Sequence, residues 1–412
     1  MKGISILALV AVAGLASVWR DARAETPDTA AIWAIVQQQQ AEIDALRREL
    51  DAVRGRGTTQ SARSSTPSDD LFEDDASFDA GIASPETTIA GYGEVHFNNV
   101  DTEDGSGDFD RIDQHRFVLF VGRRLGERAS FYSELEVEHA LAGEGEPGEV
   151  ELEQAFVDFR IGERLGARAG LFLVPVGILN ETHEPPTFFG VERNDVENVI
   201  IPSTWWEAGG AVNGRFGKGW SWETAIHSGL AMPVTGNDAF RVRSGRQAVA
   251  EALANDFALT GRIRYGGIRG LQWSASVQHQ SDPSQAPGDG LDSGLLFETD
   301  LVYQRNRIGL RALYASWNFN GTAVEAAGVD RQTGWYLEPS YRLSREWGFY
   351  ARYAAVDAAR AIDRFDQWEV GANYWPVPRV VVKLDYRQRD HAAPGFGGRD
   401  FAALDIGFGY QF

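Results

Sequence analysis

Along most of the chain, apolar and polar residues alternate one by one. Segments of roughly ten residues show this period from about residue 88 onward, most clearly at 257–265 and 271–277. A period of two places the apolar side chains on one face of a β-strand and the polar ones on the other. Sixteen strands are predicted, at 88–98, 112–123, 128–139, 149–161, 167–174, 205–216, 220–229, 256–266, 270–280, 292–304, 307–318, 331–343, 346–356, 366–375, 379–389 and 400–412.

The connections between these strands alternate between long and short. The first is long (99–111), the second is short (124–127), and the order continues to the end of the chain. A transmembrane barrel of the outer-membrane type has short periplasmic turns and long outer loops. A soluble sandwich buries its apolar face between two sheets, and nothing in that packing makes loop lengths alternate. The pattern therefore predicts an all-β fold, a 16-stranded antiparallel transmembrane β-barrel over residues 87–412.

Three segments precede the predicted barrel. Residues 1–24 combine a positive start, an apolar run and Ala22-Arg23-Ala24, which predicts a cleaved signal peptide; a membrane anchor is the alternative. Residues 25–54 carry heptad-spaced apolar residues, which predicts a short coiled-coil helix for oligomerisation; a single amphipathic helix is the alternative. Residues 55–86 are rich in small and acidic residues and are predicted to be a flexible linker.

Composition narrows the function classes. The 412 residues include no cysteine, which excludes disulfides and thiolate sites, and a net charge of −20 argues against nucleic-acid binding. The seven histidines are scattered, with no H-E-x-x-H or G-x-S-x-G nearby, so we predict no enzymatic activity, no cofactor and no resident metal, although a divalent cation on the linker or loops stays open. Tryptophans near strand ends are predicted at the membrane–water interfaces: Trp205, Trp206, Trp220, Trp222, Trp335, Trp347, Trp368 and Trp375.

Short runs of sequence carry a family resemblance. They are 88–96, 113–120, 133–139, 170–177, 180–182 and 205–207. Together with the predicted coiled coil, these runs resemble the phosphate-selective porin O and P family over about residues 86–412. The alternating end of the chain, 404–412, is also similar to the terminal signal of bacterial outer-membrane barrels. The resemblance implies a trimeric outer-membrane porin with sixteen strands.

These observations predict a porin in the outer membrane of a Gram-negative bacterium. It would pass small hydrophilic solutes or ions, with anions such as phosphate as one option, and its partners would be outer-membrane lipid, lipopolysaccharide and further copies in a homotrimer. Phosphate selectivity requires a ladder of Arg or Lys through the channel, and the acidic net charge gives it no support. A barrel that anchors a tether to the cell envelope, through its coiled coil, is the alternative function.

Strand phase assigns charged side chains to the lumen. The predicted basic residues are Arg262, Arg264, Arg307, Arg311, Arg342, Arg352, Lys383, Arg387 and Arg389. The predicted acidic residues are Glu134, Glu136, Glu138, Glu298 and Asp300. One acidic side and one basic side would set an ion preference. Ordinary solvated charge with weak selectivity is the alternative, because the phase slips by one residue at any bulge.

The longest loop, 175–204, is the candidate constriction. It contains four prolines and several apolar residues, a composition that is not typical of a disordered outer loop. Folding inward would bury the apolar residues against the wall. It would also bring six polar residues to the narrowest point, namely Glu181, His183, Glu184, Glu192, Arg193 and Asp195. A lid, or a latch between the copies of a trimer, is the alternative.

Overall fold

The chain forms a closed barrel in which each strand pairs with its neighbours in sequence and β1 closes on β16. The computed structural model describes residues 87–392 and 399–412, so the predicted signal peptide (1–24), coiled coil (25–54) and linker (55–86) lie outside the described residues. The predicted antiparallel barrel of sixteen strands is confirmed. The strands are β1 (Thr87–Thr102), β2 (Phe109–Arg124), β3 (Ala129–Glu138), β4 (Val150–Arg160), β5 (Leu165–Leu173), β6 (Trp206–Phe216), β7 (Trp220–His227), β8 (Ala258–Ile268), β9 (Leu271–Gln280), β10 (Ser293–Arg305), β11 (Ile308–Asn320), β12 (Arg331–Arg342), β13 (Trp347–Asp357), β14 (Arg364–Val377), β15 (Val380–His391) and β16 (Phe401–Gln411).

Two short α-helices lie in the connections, α1 (Asp195–Val199) between β5 and β6 and α2 (Thr322–Ala326) between β11 and β12. Single 3-10 turns occur at Pro185–Thr187, Val242–Gly245 and Ala361–Asp363. Among the described residues, no helix combines the length and the apolarity needed to cross a membrane.

The first hairpin extends further than its hydrophobic pattern predicts. The strands β1 and β2 cover most of 99–111, which the alternation assigns to a loop. Val100 pairs with Phe109, and Thr102 pairs with Phe401 across the closure of the barrel. Ladder hydrogen bonds join backbone groups and do not depend on side-chain polarity, so strands continue where the alternation stops.

The apolar face of each strand points outward. On β16, Leu404, Ile406 and Phe408 are each more than two-fifths exposed, whereas Asp405 and Gly407 between them are buried. A single layer of apolar side chains around a ladder with no free edge is the arrangement that lipid requires. The polar side chains consequently face the interior of the barrel.

The prediction that these tryptophans lie at the membrane–water interfaces is wrong for Trp205 and Trp375. Trp335, Trp347 and Trp368 are about two-fifths exposed and point outward, but Trp205 and Trp375 are buried inside the barrel. The Trp375 indole N–H donates a hydrogen bond to the Pro186 carbonyl at 3.3 Å, and Trp205 donates to Glu207 at 2.9 Å. Phase is poorly defined at strand ends, and these two rings pack on a loop inside the barrel instead of on lipid.

That loop is the connection between β5 and β6, residues 175–204, which we call the inward loop. Its ends are closed by a hydrogen bond from the Val174 N–H to the Trp205 carbonyl at 2.9 Å. Between them, α1 lies on the inner faces of β12 and β13. Val196, Ile200 and Ile201 join Trp317 of β11 in a buried cluster inside the barrel. The apolar residues of the inward loop therefore form a small core against the wall.

Glycines on the inner wall leave room for the inward loop. A β-carbon at Gly409 of β16 would overlap Pro185, and a β-carbon at Gly334 of β12 would lie 2.8 Å from the Ile200 side chain. The proline ring is rigid, and the Ile200 side chain is packed in the buried cluster, so a larger residue at either glycine would push the inward loop away from the wall.

We expect Gly409→Ala to displace the middle of the inward loop, because the added methyl group overlaps Pro185. Limited proteolysis of the folded barrel should then cut within 178–201 faster than in the wild type. Gly261→Ala is the matched control, because nothing lies within 4 Å of a β-carbon built there. Equal cleavage rates in the two variants would show that Pro185 does not need the space.

Candidate functional site

The inward loop contacts predicted lumen residues along its length, beginning at Glu181. This carboxylate accepts hydrogen bonds from Arg262 at 2.5 and 2.8 Å and from Arg264 at 2.5 Å. Burial opposes ionisation of Glu181, but the two guanidinium groups outweigh it and hold the pKa of this carboxyl well below its usual range. The start of the inward loop is therefore attached to β8 by the salt bridges of Glu181 with Arg262 and Arg264.

The middle of the inward loop presents backbone carbonyls to basic side chains. The hydrogen bonds are Arg311 to Thr187 at 2.6 Å, Arg352 to Phe189 at 2.8 Å and Lys383 to Gly190 at 2.7 Å. A buried carbonyl needs a donor, and a cationic donor makes a stronger bond than a neutral one. Three strands of the wall thus bind three of the four consecutive loop residues 187–190.

Arg352 of β13 is the most connected of these cations. Besides the Phe189 carbonyl, it donates to Glu338 of β12 at 2.8 Å and to Glu369 of β14 at 3.0 Å. The side chain is 3% exposed and both carboxylates are equally buried. Arg352 therefore forms ion pairs with two wall carboxylates and binds the loop at the same time.

The remaining predicted basic residues differ in their surroundings. Arg389 binds Asp195 of the inward loop at 2.5 Å, and Arg387 binds Asp405 of β16 at 2.6 Å. The Arg342 guanidinium lies 3.6 Å from the centre of the Trp375 ring. Arg307 is exposed in the turn between β10 and β11.

Charges of the two signs are interleaved around the wall, so the expectation of one acidic and one basic side is wrong. Glu298 and Asp300 of β10 are buried between β8, which carries Arg262, and β11, which carries Arg311. Further carboxylates on β12–β16 share the inward phase, namely Glu338, Glu369, Asp385 and Asp405. Strand phase would also have assigned these four carboxylates to the lumen. Which charges become neighbours depends on how the strands pair in the barrel.

The other predicted loop residues also lie against the wall. Glu192 is 3.2 Å from the His96 ring and accepts a hydrogen bond from Asn98 at 2.9 Å. Burial opposes ionisation of Glu192, but the facing His96 holds its pKa well below the usual range. Arg193 lies 3.3 Å from the Tyr92 hydroxyl oxygen. Glu184 is partly buried, which raises its pKa.

The acidic residues of β3 form a row beside the inward loop. Glu134 and Glu136 are buried, and Glu138 is partly exposed near the end of the strand. His183 of the inward loop lies 3.2 Å from Glu134. Burial is the main cause that lowers the pKa of His183, and nearby Arg193 adds to it.

The connection between β7 and β8 supplies basic residues that sequence reasoning missed. Arg243 donates to the Ser203 carbonyl at 2.7 Å, and Arg246 donates to the Thr204 carbonyl. Burial lowers the pKa of Arg243 to about 9, and Arg246 adds to the effect. A connection has no strand phase, so no signal in the sequence marks these arginines as partners of the inward loop.

We expect docking of α1 to weaken as the pH rises from 5 to 8. Glu197 accepts hydrogen bonds from Ile178 N–H, Leu179 N–H and the Tyr336 hydroxyl at 2.6–2.9 Å, yet burial raises its pKa to about 7. Since the folded pKa exceeds the ordinary 4.5, stabilisation is full below 4.5 and is lost as the pH passes 7.

Hydrogen exchange of residues 195–201, corrected for the chemical rate, measures this docking. Protection should fall across the interval in the wild type and stay level in Glu197→Gln. The same fall in the variant would assign the dependence to another group.

Comparisons with known proteins agree with this architecture. No family model matches the chain. An uncharacterized protein of Aquifex aeolicus is 31% identical over 352 residues, which cover 74% of this chain and 76% of that protein.

Solved structures similar to the barrel are outer-membrane porins and channels. An anion-selective porin from Comamonas acidovorans has a TM-score of 0.56 at 14% identity and covers 79% of this chain and 99% of its own. Salmonella typhi OmpF, in complex with daunomycin, has a TM-score of 0.55, and the outer-membrane channel DcaP of Acinetobacter baumannii has one of 0.53. Both are 14% identical to this chain and cover 79% of it and 97% of their own chains. At this identity the similarity shows a shared porin fold, and the resemblance to phosphate-selective porins stays a prediction.

Proposed function

The chain belongs to the same family as the Aquifex aeolicus protein, and from its porin-like barrel we propose an outer-membrane channel for passive diffusion of small hydrophilic solutes. The observation that carries this proposal is the inward loop, fastened to the inner wall of a closed barrel with an apolar outer face. Sixteen strands enclose a lumen too wide for side chains to fill. A loop held against the wall narrows such a lumen to the size of small solutes.

The outer face supports a location in the outer membrane of a Gram-negative bacterium. Its exposed apolar residues fit contact with lipid and lipopolysaccharide. A homotrimer is the expected assembly, on the resemblance to trimeric porins and on the predicted coiled coil at 25–54. The predicted signal peptide at 1–24 fits export to this location.

Anion selectivity, with phosphate as one candidate ion, is the finer part of the proposal. It requires cations that remain open to the lumen and are not neutralised by carboxylates. Arg352 and Arg387 fail this requirement, because each is under a tenth exposed and bound to carboxylates. Arg311 and Arg342 are partly exposed, and in the described ranges neither forms an ion pair with a carboxylate. We propose that this second pair sets the ion preference.

We expect Arg311→Ser and Arg342→Ser to shift the reversal potential in a KCl gradient toward cation preference. Each removes a positive charge from a passage where few counterions screen it. The measurement is single-channel recording in planar bilayers. Arg379→Ser, in the exposed turn between β14 and β15, is the control and should cause no shift. Unchanged potentials in both lumen variants would exclude them as the selectivity residues.

The same recordings test the channel itself. The folded wild-type protein should conduct, and phosphate should reduce the chloride current if phosphate enters the anion pathway. No conductance from correctly folded protein would overturn the proposed function. Conductance without phosphate block would keep the channel and remove phosphate selectivity.

A tether to the cell envelope is the second candidate function. The predicted coiled coil at 25–54 and acidic linker at 55–86 favour it, because together they could bridge from the barrel to another layer. Deletion of 25–85 separates the two roles. Lost envelope attachment with normal conductance would support the tether, and unchanged attachment would remove it.

A further inference from the structure

Three titratable side chains meet where the inward loop touches β3 and β4. They are Glu134 of β3, Glu153 of β4 and His183 of the inward loop. One atom of each that could bind a metal, a carboxylate oxygen or an imidazole nitrogen, lies within 4.8 Å of the other two. The His183 Nε2 atom is 3.2 Å from Glu134 Oε1 and 3.8 Å from Glu153 Oε2. All three residues are at most 3% exposed. We call this group the Glu–Glu–His cluster.

A β-bulge builds this cluster. Glu134 pairs with Gln154, but the next residue, Leu135, pairs with Leu152, so Glu153 is the extra residue in β4. Both Glu153 and Gln154 are consequently buried on the inner face, although strict alternation would place them on opposite faces. Bulges re-aim side chains in this way and are frequent beside functional sites.

One carboxylate oxygen of the cluster lacks a hydrogen-bond partner. Glu134 is hydrogen-bonded to Gln154 at 2.5 Å and to His183 at 3.2 Å, and Glu153 Oε1 accepts a hydrogen bond from Thr204 at 2.5 Å. Glu153 Oε2 faces His183 and has no hydrogen-bond partner. In the part of the chain that the structure describes, the ion-pair contacts of both carboxylates are to His183 alone. A buried carboxylate is costly unless a proton or a cation compensates it.

We propose that the Glu–Glu–His cluster binds a divalent first-row transition-metal ion through one imidazole nitrogen and two carboxylate oxygens. Two ligand atoms bound tetrahedrally to Zn²⁺ at about 2.1 Å lie about 3.4 Å apart. The observed separations of 3.2 and 3.8 Å from His183 Nε2 bracket that value. Ca²⁺ and Mg²⁺ prefer ligand sets made only of oxygen, so the imidazole favours a transition metal.

The bound ion would join the inward loop to the wall. His183 belongs to the loop, whereas Glu134 and Glu153 belong to strands, so one ion cross-links the two. This role goes beyond the proposed channel, and its test does not require conduction. Failure of metal binding and failure of the channel are therefore separate results.

Zn²⁺ binding to the full-length protein, folded in detergent and stripped with a chelator, tests the proposal. Equilibrium dialysis with elemental analysis should give one Zn²⁺ per chain at this cluster, bound at least 100-fold more weakly in Glu153→Gln and His183→Gln. Glu207→Gln is the matched control, because Glu207 is equally buried but accepts hydrogen bonds from Trp205 and Ser228. Heat-dependent migration on gels verifies that each variant is folded.

Thermal unfolding supplies a second readout. Zn²⁺ should raise the unfolding temperature of the wild type and of Glu207→Gln, but not that of His183→Gln, since an ion stabilises only the state that binds it. His183 lies in a loop, so its variant keeps the test valid if Glu153→Gln does not fold.

Two outcomes would overturn the proposal. The first is no Zn²⁺ binding by folded wild-type protein, which would mean that protons compensate the carboxylates. The second is binding that survives in both cluster variants and is lost in His96→Gln. That result would place the ion at the second His-containing group of the inner wall, His96, His115 and Glu192, whose donor atoms also lie within 4.8 Å of one another.

Discussion

Replacing residues 183–201 with a short Gly-Ser linker should raise the single-channel conductance roughly two- to fourfold, because this segment occupies the lumen that carries the current. The substitution is feasible because the two ends of the inward loop meet: the Val174 nitrogen and the Trp205 carbonyl oxygen are 2.9 Å apart. Recordings in concentrated KCl suppress the contribution of surface charge, so the change reports the width of the passage.

A deletion of residues 103–107 is the control for this experiment. These residues form the exposed turn between β1 and β2, on the same side of the barrel as the start of the inward loop. The control should keep the wild-type conductance. An unchanged conductance in the folded loop variant would mean that the narrowest point lies elsewhere in the lumen.

Arg352→Met should destabilise the barrel by about 3–5 kcal/mol, because removal of one partner leaves buried charges without compensation. Glu338 and Glu369 would lose their shared cation, and the Phe189 carbonyl would lose its donor. Urea-dependent unfolding in lipid vesicles measures the loss. The inward loop should also become more accessible to protease between 183 and 193.

Neutralising the two carboxylates separates charge from packing. The triple variant Arg352→Met, Glu338→Gln and Glu369→Gln should recover part of the lost stability, since no unpaired charge remains buried. Arg379→Met, in an exposed turn, should change the free energy of unfolding by less than about 0.5 kcal/mol. A loss in the triple variant as large as that in Arg352→Met would show that Arg352 contributes through packing and its hydrogen bond to the Phe189 carbonyl, and not through its charge.

The candidate site was only partly predictable. Period two identified Arg262, Arg352 and Lys383 as residues of one face, because alternation along a strand is a local property. Their partners are not local. Arg352 and Phe189 lie 163 residues apart, and Lys383 and Gly190 lie 193 apart. Strand phase alone therefore predicts that these three cations are free charges in the lumen, whereas all three bind the inward loop.

Bulges mark the second limit of prediction. In β4, the extra residue Glu153 faces inward beside Gln154, and in β2 the register skips His115. A bulge is a property of how two strands pair, and neither strand by itself indicates where the register shifts. Both bulges supply a residue to one of the two His-containing groups.

Short-range alternation and loop length are enough to predict the strand number, the antiparallel order and the apolar exterior of the barrel. The contacts inside the barrel depend on the folded chain. Strand pairing places charges of both signs side by side, and several basic residues of the wall form hydrogen bonds with the inward loop. Contact with lipid constrains each strand separately, whereas a buried charge is stabilised only by the partners that folding brings next to it.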